Sequence, residues 1–287
     1  MTDLAPLARL YVAFDDTDTI DADRGTGKVS RWFEDELPHG CRLWAVVRQQ
    51  LLVHPDVPYT SHNSAAVCVI DVIDRALLVP AEAEADGASS VNLVPTRELV
   101  GVITERAVGH LQANWMDGSD PGLCIAWDGC RAMPALVAFG RRAAVEVVTQ
   151  GDARAAAAGA RLSGHGGTED GIIGAAAGVG LTAEGWNGRL IEYRCIFGHL
   201  RDVPEPVSVA DLGAVGITVV SIDRDAPVPL PDGLVRADGW LRPRLWAGRP
   251  VLPVQRDGAG GWFAPGPRTT GDQSDSDEPV AAEAPRA

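Results

Sequence analysis

Six short apolar runs punctuate the chain, and each reads as a buried strand. They are residues 10–15, 41–49, 65–72, 122–127, 190–197 and 217–222. In Cys41–Gln49 the apolar residues Leu43, Ala45 and Val47 alternate with other residues, as on a pleated strand with one face in a core. Between these runs the period lengthens. Thr26 or Gly27 opens a helical stretch that reaches about Leu37 and stops at Pro38-His39-Gly40. Leu99, Val102, Ile103, Ala107, His110 and Leu111 share one face of a helix expected over Thr96–Trp115. Further helices are expected over Met133–Gln150, Gly151–Ala158 and Ser208–Ala214. A helix of very small residues is expected from Glu169 to Gly178.

The intervals carry turn chemistry. Residues 1–9 form a short extension. The two prolines of His54-Pro55-Asp56-Val57-Pro58 exclude a central strand and hold the backbone extended. Residues 80–92 are rich in Ala, Glu, Asp, Gly and Ser and read as a surface loop. Residues 223–268 hold many Pro, Gly and Trp and read as irregular structure or a short β module. Residues 269–287 have too few apolar side chains to pack and are expected to be disordered. The pattern is that of an α+β protein. It divides into an N-terminal α+β region (1–115), a second α+β region (116–222), the extension (223–268) and the acidic tail (269–287). No internal repeat is visible.

Composition narrows the function. With 287 residues, 46% apolar, the chain can bury a large core. No apolar run approaches the roughly 18 residues that span a bilayer, and the first residues have no basic or apolar leader. A cytoplasmic protein with no membrane partner is expected. Five scattered cysteines with no C-x-x-C pair give neither a disulfide framework nor a zinc ribbon. The net charge is -14. After Arg268 five acids and one base contribute -4, which leaves the body at -10. An acidic body argues against direct binding of tRNA or other nucleic acid through a broad basic surface. Oligomeric state is not legible.

The candidate chemistry centres on Asp15-Asp16-Thr17-Asp18, at the end of the first strand. Carboxylate oxygens suit Mg²⁺, and three of them crowded together call for a cation or for water. The alternative is a solvated turn. Behind them lies Arg24-Gly25-Thr26-Gly27-Lys28-Val29-Ser30. The P-loop pattern fails here, because Val29 stands at its Ser/Thr position and Ala22 at its first Gly. Lys28 is the only lysine of the chain, either a chance survivor among 24 arginines or a compact charge for a phosphate. Gly164-His165-Gly166-Gly167-Thr168 leads into the small-residue helix. Such a loop can cradle an anion with its amides, or the glycines can serve tight packing. His165 is a catalytic candidate or a simple loop histidine. Ser119-Asp120-Pro121-Gly122, taken alone, is a turn.

In order, these segments resemble the catalytic half of the archaeal tRNA-isoleucine agmatinylcytidine synthetase family. That family opens with a strand ending in D-D-T-D, as at Phe14-Asp15-Asp16-Thr17-Asp18, and continues with an Arg-Gly pair, here Arg24-Gly25. Its N-P-x-I-P segment is similar to His54-Pro55-Asp56-Val57-Pro58-Tyr59, and its x-N-P-G to Ser119-Asp120-Pro121-Gly122. Its glycine-rich helix, G-[VI]-I-G-A-L-A-A-[IV]-G, is similar to Gly171-Ile172-Ile173-Gly174-Ala175-Ala176-Ala177-Gly178-Val179-Gly180. A Tyr-Arg pair follows in both, here Tyr193-Arg194. The matches span about residues 10–200.

The resemblance implies a ferredoxin-like piece joined to an ATP-binding, kinase-like α/β piece. It also implies an enzyme that uses ATP and Mg²⁺ to activate an oxygen as a phosphate ester, which an amine then displaces. In the family the oxygen is a cytidine carbonyl and the amine is agmatine. Three departures stand out. The family's Met-Cys-Thr-Thr, with its catalytic threonine, becomes Thr26-Gly27-Lys28-Val29. Its K-T-R-G-N becomes Thr60-Ser61-His62-Asn63-Ser64, and its loop arginines become Thr168 and Glu169. Nothing matches its RNA-binding OB and zinc-ribbon modules. The expectation is therefore an ATP- and Mg²⁺-dependent phosphoryl-transfer or amidation enzyme with an unidentified acceptor other than tRNA. A catalytically silent nucleotide sensor and tRNA modification with a separate RNA-binding partner are the alternatives. Asp15, Asp16 and Asp18 would hold the metal. Asp16, Lys28 and His165 would act in catalysis. Arg24, Gly25, Gly27, Gly164, Gly166 and Gly167 would bind the nucleotide.

Overall fold

The first strand is apolar on both faces, and a strand of that kind needs a layer on each side. Leu10, Val12 and Phe14 enter one core, and Tyr11 and Ala13 enter another. A computed structural model describes residues 5–19, 24–57, 63–81, 93–195, 197–237 and 239–266.

In chain order the elements are β1 (Ala8–Asp15), α1 (Thr26–Trp32), β2 (Cys41–Gln50), β3 (Ser64–Val72), β4 (Leu78–Pro80), β5 (Leu93–Pro95) and α2 (Arg97–Asn114). Next come β6 (Gly122–Trp127), α3 (Met133–Ala143), α4 (Gln150–Ala156), β7 (Arg161–Gly164), α5 (Gly171–Glu184) and β8 (Arg189–Tyr193). The last are β9 (Val207–Ser208), α6 (Val209–Ala214), β10 (Thr218–Ser221), β11 (Leu234–Ala237), β12 (Arg244–Trp246), β13 (Arg249–Arg256) and β14 (Trp262–Ala264). Among the described residues twelve strands join in one mixed sheet, and β4 pairs with β5 apart from it. The architecture is the α+β class expected.

Through β6 the chain follows a β-α-β-β-α-β order, with strands side by side as β6–β1–β3–β2, all antiparallel. Helices α1 and α2 cover the face bearing Leu10, Phe14, Leu43 and Ile70. Thr96 starts α2 by accepting a hydrogen bond from the Leu99 amide at 3.1 Å. The buried stripe of that helix includes His110, whose Nε2 lies 2.9 Å from the Val29 carbonyl oxygen of α1. The opposite face carries α3, α4 and α5 over Ala13, Ala45, Val47 and Val67. Helix α5 sits low on the sheet because it has so little side chain. Gly178 lies against Ala65 and Val67, and a Cβ at Gly180 would overlap the Leu136 carbonyl of α3. No helix among the described residues is long and apolar enough to cross a membrane.

Several boundaries differ from expectation for local reasons. The helix expected over Met133–Gln150 stops at Ala143. A separate helix begins at Gln150, where Thr149 and Asp152 form a reciprocal capping box. The stretch expected to run to Leu37 is α1 followed by a tighter 3-10 turn, Phe33–Glu36. The expected strand to Phe197 ends at Tyr193. The extension is a β module: β12 pairs with β8, and β13, β14, β11 and β9 carry the sheet onward. That sheet passes without a break from β2 through β8 to β12, and β6 lies beside β1. Residues 58–62, most of the expected 80–92 loop and the expected disordered tail lie outside the described residues.

Candidate functional site

One end of the sheet gathers the C-terminal ends of β1 and β2 and the N-terminal ends of β3 and β8. A cavity of about 790 Å³ opens there, within the size range of small-molecule sites. It is bounded by the start of α1, the start of α5 and the turn between α3 and α4.

Asp15, Asp16 and Asp18 all line it. Asp16 has φ 50°, a left-handed conformation that Asp tolerates better than most residues. Asp15 lies against Gly174 of α5, where any side chain would overlap its carboxylate. Burial first, then the charges of Asp16 and Asp18, push the Asp15 carboxyl up to about 8; a backbone hydrogen bond from Asp16 offsets part of this. Burial, then Asp120 and Asp18, push Asp16 up to about 6. Asp18 is partly committed. Its Oδ1 accepts from the Thr26 amide at 3.2 Å and from the Thr26 hydroxyl at 2.9 Å, which caps α1 across eight residues. The buried Thr17 hydroxyl in turn donates to Thr26 Oγ1 at 3.0 Å.

Four further carboxylates line the cavity: Asp56, Asp120, Glu146 and Asp170. The one basic side chain among its lining residues is Arg48 of β2. Its Nε donates to Ser64 Oγ at 2.8 Å. Burial and the nearby Arg189 lower the Arg48 pKa, and Asp18 raises it. Asp15, Asp16, Asp18, Asp120 and Asp170 thus come from the ends of β1, β6 and α5, and the guanidinium from β2. Sequence reasoning gives no site role to Arg48, Asp120, Asp170, Asp56 or Glu146. The available signals are an arginine following the apolar run of a strand, at Arg48, and an acid immediately before the glycine-rich helix, at Asp170.

The sequence-derived candidates part company here. Gly25 and Gly27 line the cavity. Gly27 lets α1 approach Ile191 of β8, where a Cβ would fall 2.8 Å from Cδ1. Arg24 turns away, and its Nε donates to the Asn114 carbonyl at the end of α2, at 3.1 Å. Lys28 is exposed and stands over Trp32, 5.2 Å from the ring centroid, outside the residues lining the cavity. His165 is also outside them. Its Nε2 is 2.8 Å from Ser163 Oγ, and burial lowers its pKa. Gly164, Gly166 and Gly167 do not line the cavity either. Their loop closes on a carboxylate of the chain itself. Asp120 accepts from the Thr168 amide at 3.0 Å and the Thr168 hydroxyl at 2.6 Å, and a Cβ at Gly167 would overlap it. The His165 amide is bonded to the Pro121 carbonyl and the Glu169 amide to the Gly166 carbonyl.

Among the described residues no three His, Cys, Asp or Glu side chains already stand as a metal-ion cluster. Asp15 and Asp16 nevertheless fit a hard cation. They are adjacent oxygen donors lining one cavity, where burial and the repulsion of Asp15 by Asp16 disfavour two bare charges.

No family model matches the sequence, and no curated protein does. Solved structures give partial likenesses. A complex of TiaS with an isoleucine tRNA and ATP is 22% identical with a TM-score of 0.43, over 65% of this chain and 39% of that one. A tRNA fluorescent labeling enzyme gives 23%, 0.43, 65% and 39%. A complex of TiaS with an isoleucine tRNA, AMPCPP and agmatine gives 22% and 0.40, over 78% of this chain and 51% of that one. The matched part is thus about two fifths to one half of those longer chains.

Proposed function

We propose that the chain is an ATP- and Mg²⁺-dependent enzyme that phosphorylates or amidates an acceptor other than tRNA. A ferredoxin-like β-α-β-β-α-β piece would carry the Asp-Asp-Thr-Asp strand end, and α3, α4 and α5 would close the nucleotide site over it. The observation that carries this reading is the shared cavity. Seven carboxylates and one arginine, drawn from separate parts of the sequence, face the same 790 Å³.

A bare polyphosphate would be repelled by this lining, whereas a nucleotide bound with its cation would not. Asp15 and Asp16 would hold the ion, with Asp18 contributing the oxygen not used in capping α1. When bound, Mg²⁺ supplies charge neutralisation for the transferring phosphoryl group. Arg48 orients the phosphates from the opposite side, held in place by Ser64. The carboxylates that neither hold the ion nor close the glycine loop, Asp56 and Asp170 among them, suit an amine or guanidinium co-substrate. The acidic net charge and the replacement of the family's basic segment by Thr60-Ser61-His62-Asn63-Ser64 support an acceptor other than tRNA.

Calorimetry with ATP and Mg²⁺ on the wild type and on Asp16→Ala tests the reading. Binding by the wild type that is lost in the variant supports it; no binding by the wild type, or equal binding by both, rejects it. One observation favours a second reading, a silent nucleotide sensor. Lys28 and His165 both stand outside the cavity, which leaves Arg48 as the one cation among its lining residues. Steady turnover of ATP by the purified chain would reject that alternative.

A further inference from the structure

Arg48 is the inner member of a row. In the β2–β8 pairing Arg48 stands opposite Arg189, and in the β8–β12 pairing Arg189 stands opposite Arg244. Val47, Leu190 and Leu245, next to these arginines in sequence, all enter the core on the far face. The three arginines therefore share the other face, the one that α1 covers nearer β1. Successive strands are about 4.8 Å apart, so the row extends about 10 Å from the cavity outward. Exposure rises along it: Arg48 and Arg189 are half-buried and Arg244 is exposed.

Like charges directly opposite each other across strands weaken a sheet. Here three arginines do so in a chain whose net charge is -14. Arg189 also acts on Arg48 through space, lowering its pKa. No ion pair to Arg244 exists among the described residues. The glycine loop, the other candidate for anion binding, is already closed on Asp120. Guanidinium forks grip phosphate oxygens in pairs, and evenly spaced cations match a ligand with repeated negative charge.

We propose that Arg48, Arg189 and Arg244 form a phosphate track that leads out of the cavity and takes the polyphosphate chain of a nucleoside triphosphate. The row starts inside a cavity of small-molecule size, beside Ser64 and Ile191, which favours a short linear polyphosphate over a nucleic-acid strand. The proposal rests on the nucleotide reading for its ligand but stands on its own residues.

Calorimetry in excess Mg²⁺ with tripolyphosphate, MgATP and adenosine on the wild type, Arg189→Gln, Arg244→Gln and Arg244→Lys tests it. Arg244 is exposed, so its variants keep the fold, which circular dichroism checks. Each Gln variant is expected to weaken tripolyphosphate and MgATP about tenfold, the worth of one charge-assisted contact. Adenosine binding should not change, and Arg244→Lys should recover part of the loss. Wild-type affinity for tripolyphosphate in both Gln variants overturns the proposal, as does a loss that falls equally on adenosine. A wild type that binds tripolyphosphate through these arginines but not ATP overturns the nucleotide reading and leaves the track. A wild type that binds ATP with no effect of the arginine variants does the reverse. Binding of a short single-stranded RNA in preference to tripolyphosphate, lost in the same variants, overturns the choice of ligand.

Discussion

Thr168 grips Asp120 twice, its amide at 3.0 Å and its hydroxyl at 2.6 Å from the two carboxylate oxygens. A loop whose glycines suggest phosphate binding thus encloses an anion that belongs to the protein. Asp120→Ala would leave these donors without a partner and is expected to cost about 2 kcal/mol in urea unfolding. Asp120→Asn keeps one acceptor and should lose less. Equal stability of all three proteins would show that the loop does not depend on the carboxylate.

Asp15 makes stability depend on pH in a definite direction. Its folded pKa of about 8 lies above the ordinary carboxyl value near 4, so the native state keeps a proton that the unfolded chain releases. Stability should fall as pH rises between these values and level off above about pH 8. Asp16, at about 6, adds to the lower part of the fall. Urea titrations at pH 5 and pH 8 without divalent ions should show the loss in the wild type, and Asp15→Asn should remove most of it. An undiminished slope in the variant would assign the effect elsewhere.

Lys28 offers a contrast. It stacks on Trp32 and does not line the cavity. Lys28→Met should leave MgATP affinity unchanged and cost at most about 1 kcal/mol of stability. A large loss of nucleotide binding in this variant would mean that the lysine reaches the site after all.

The contact between α3 and α5 depends on backbone meeting backbone. Gly180→Ala places a methyl group on the Leu136 carbonyl and should destabilise by about 1–3 kcal/mol, read as a lower urea midpoint with unchanged slope. Gly101→Ala on the open side of α2, where an added Cβ meets nothing, is the control and should not destabilise.

How much of this is legible beforehand follows from distance along the chain. The Asp-Asp-Thr-Asp strand end and the helix behind it are local, and Asp18 reaches only eight residues to Thr26. Alternation in Cys41–Gln49 and the apolar run of β1 place both strands. The fate of the glycine loop depends on Asp120, 48 residues away, and no local pattern announces that. The break between α3 and α4 is legible in Thr149 and Asp152, a capping box hidden within an otherwise apolar helical stretch. The arginine row is invisible in sequence because Arg48, Arg189 and Arg244 become neighbours only through strand register.

The strand that ends in the acidic cluster is hydrogen-bonded on both sides, to β3 and to β6. Its amides should exchange with deuterium only when the whole domain opens, whereas those of the α3–α4 turn should exchange through small local openings. Adaptation of such a site to a new ligand would therefore fall to its far wall, near Glu146 and Thr149, while Asp15, in the doubly paired strand, keeps its position for as long as the protein is folded at all.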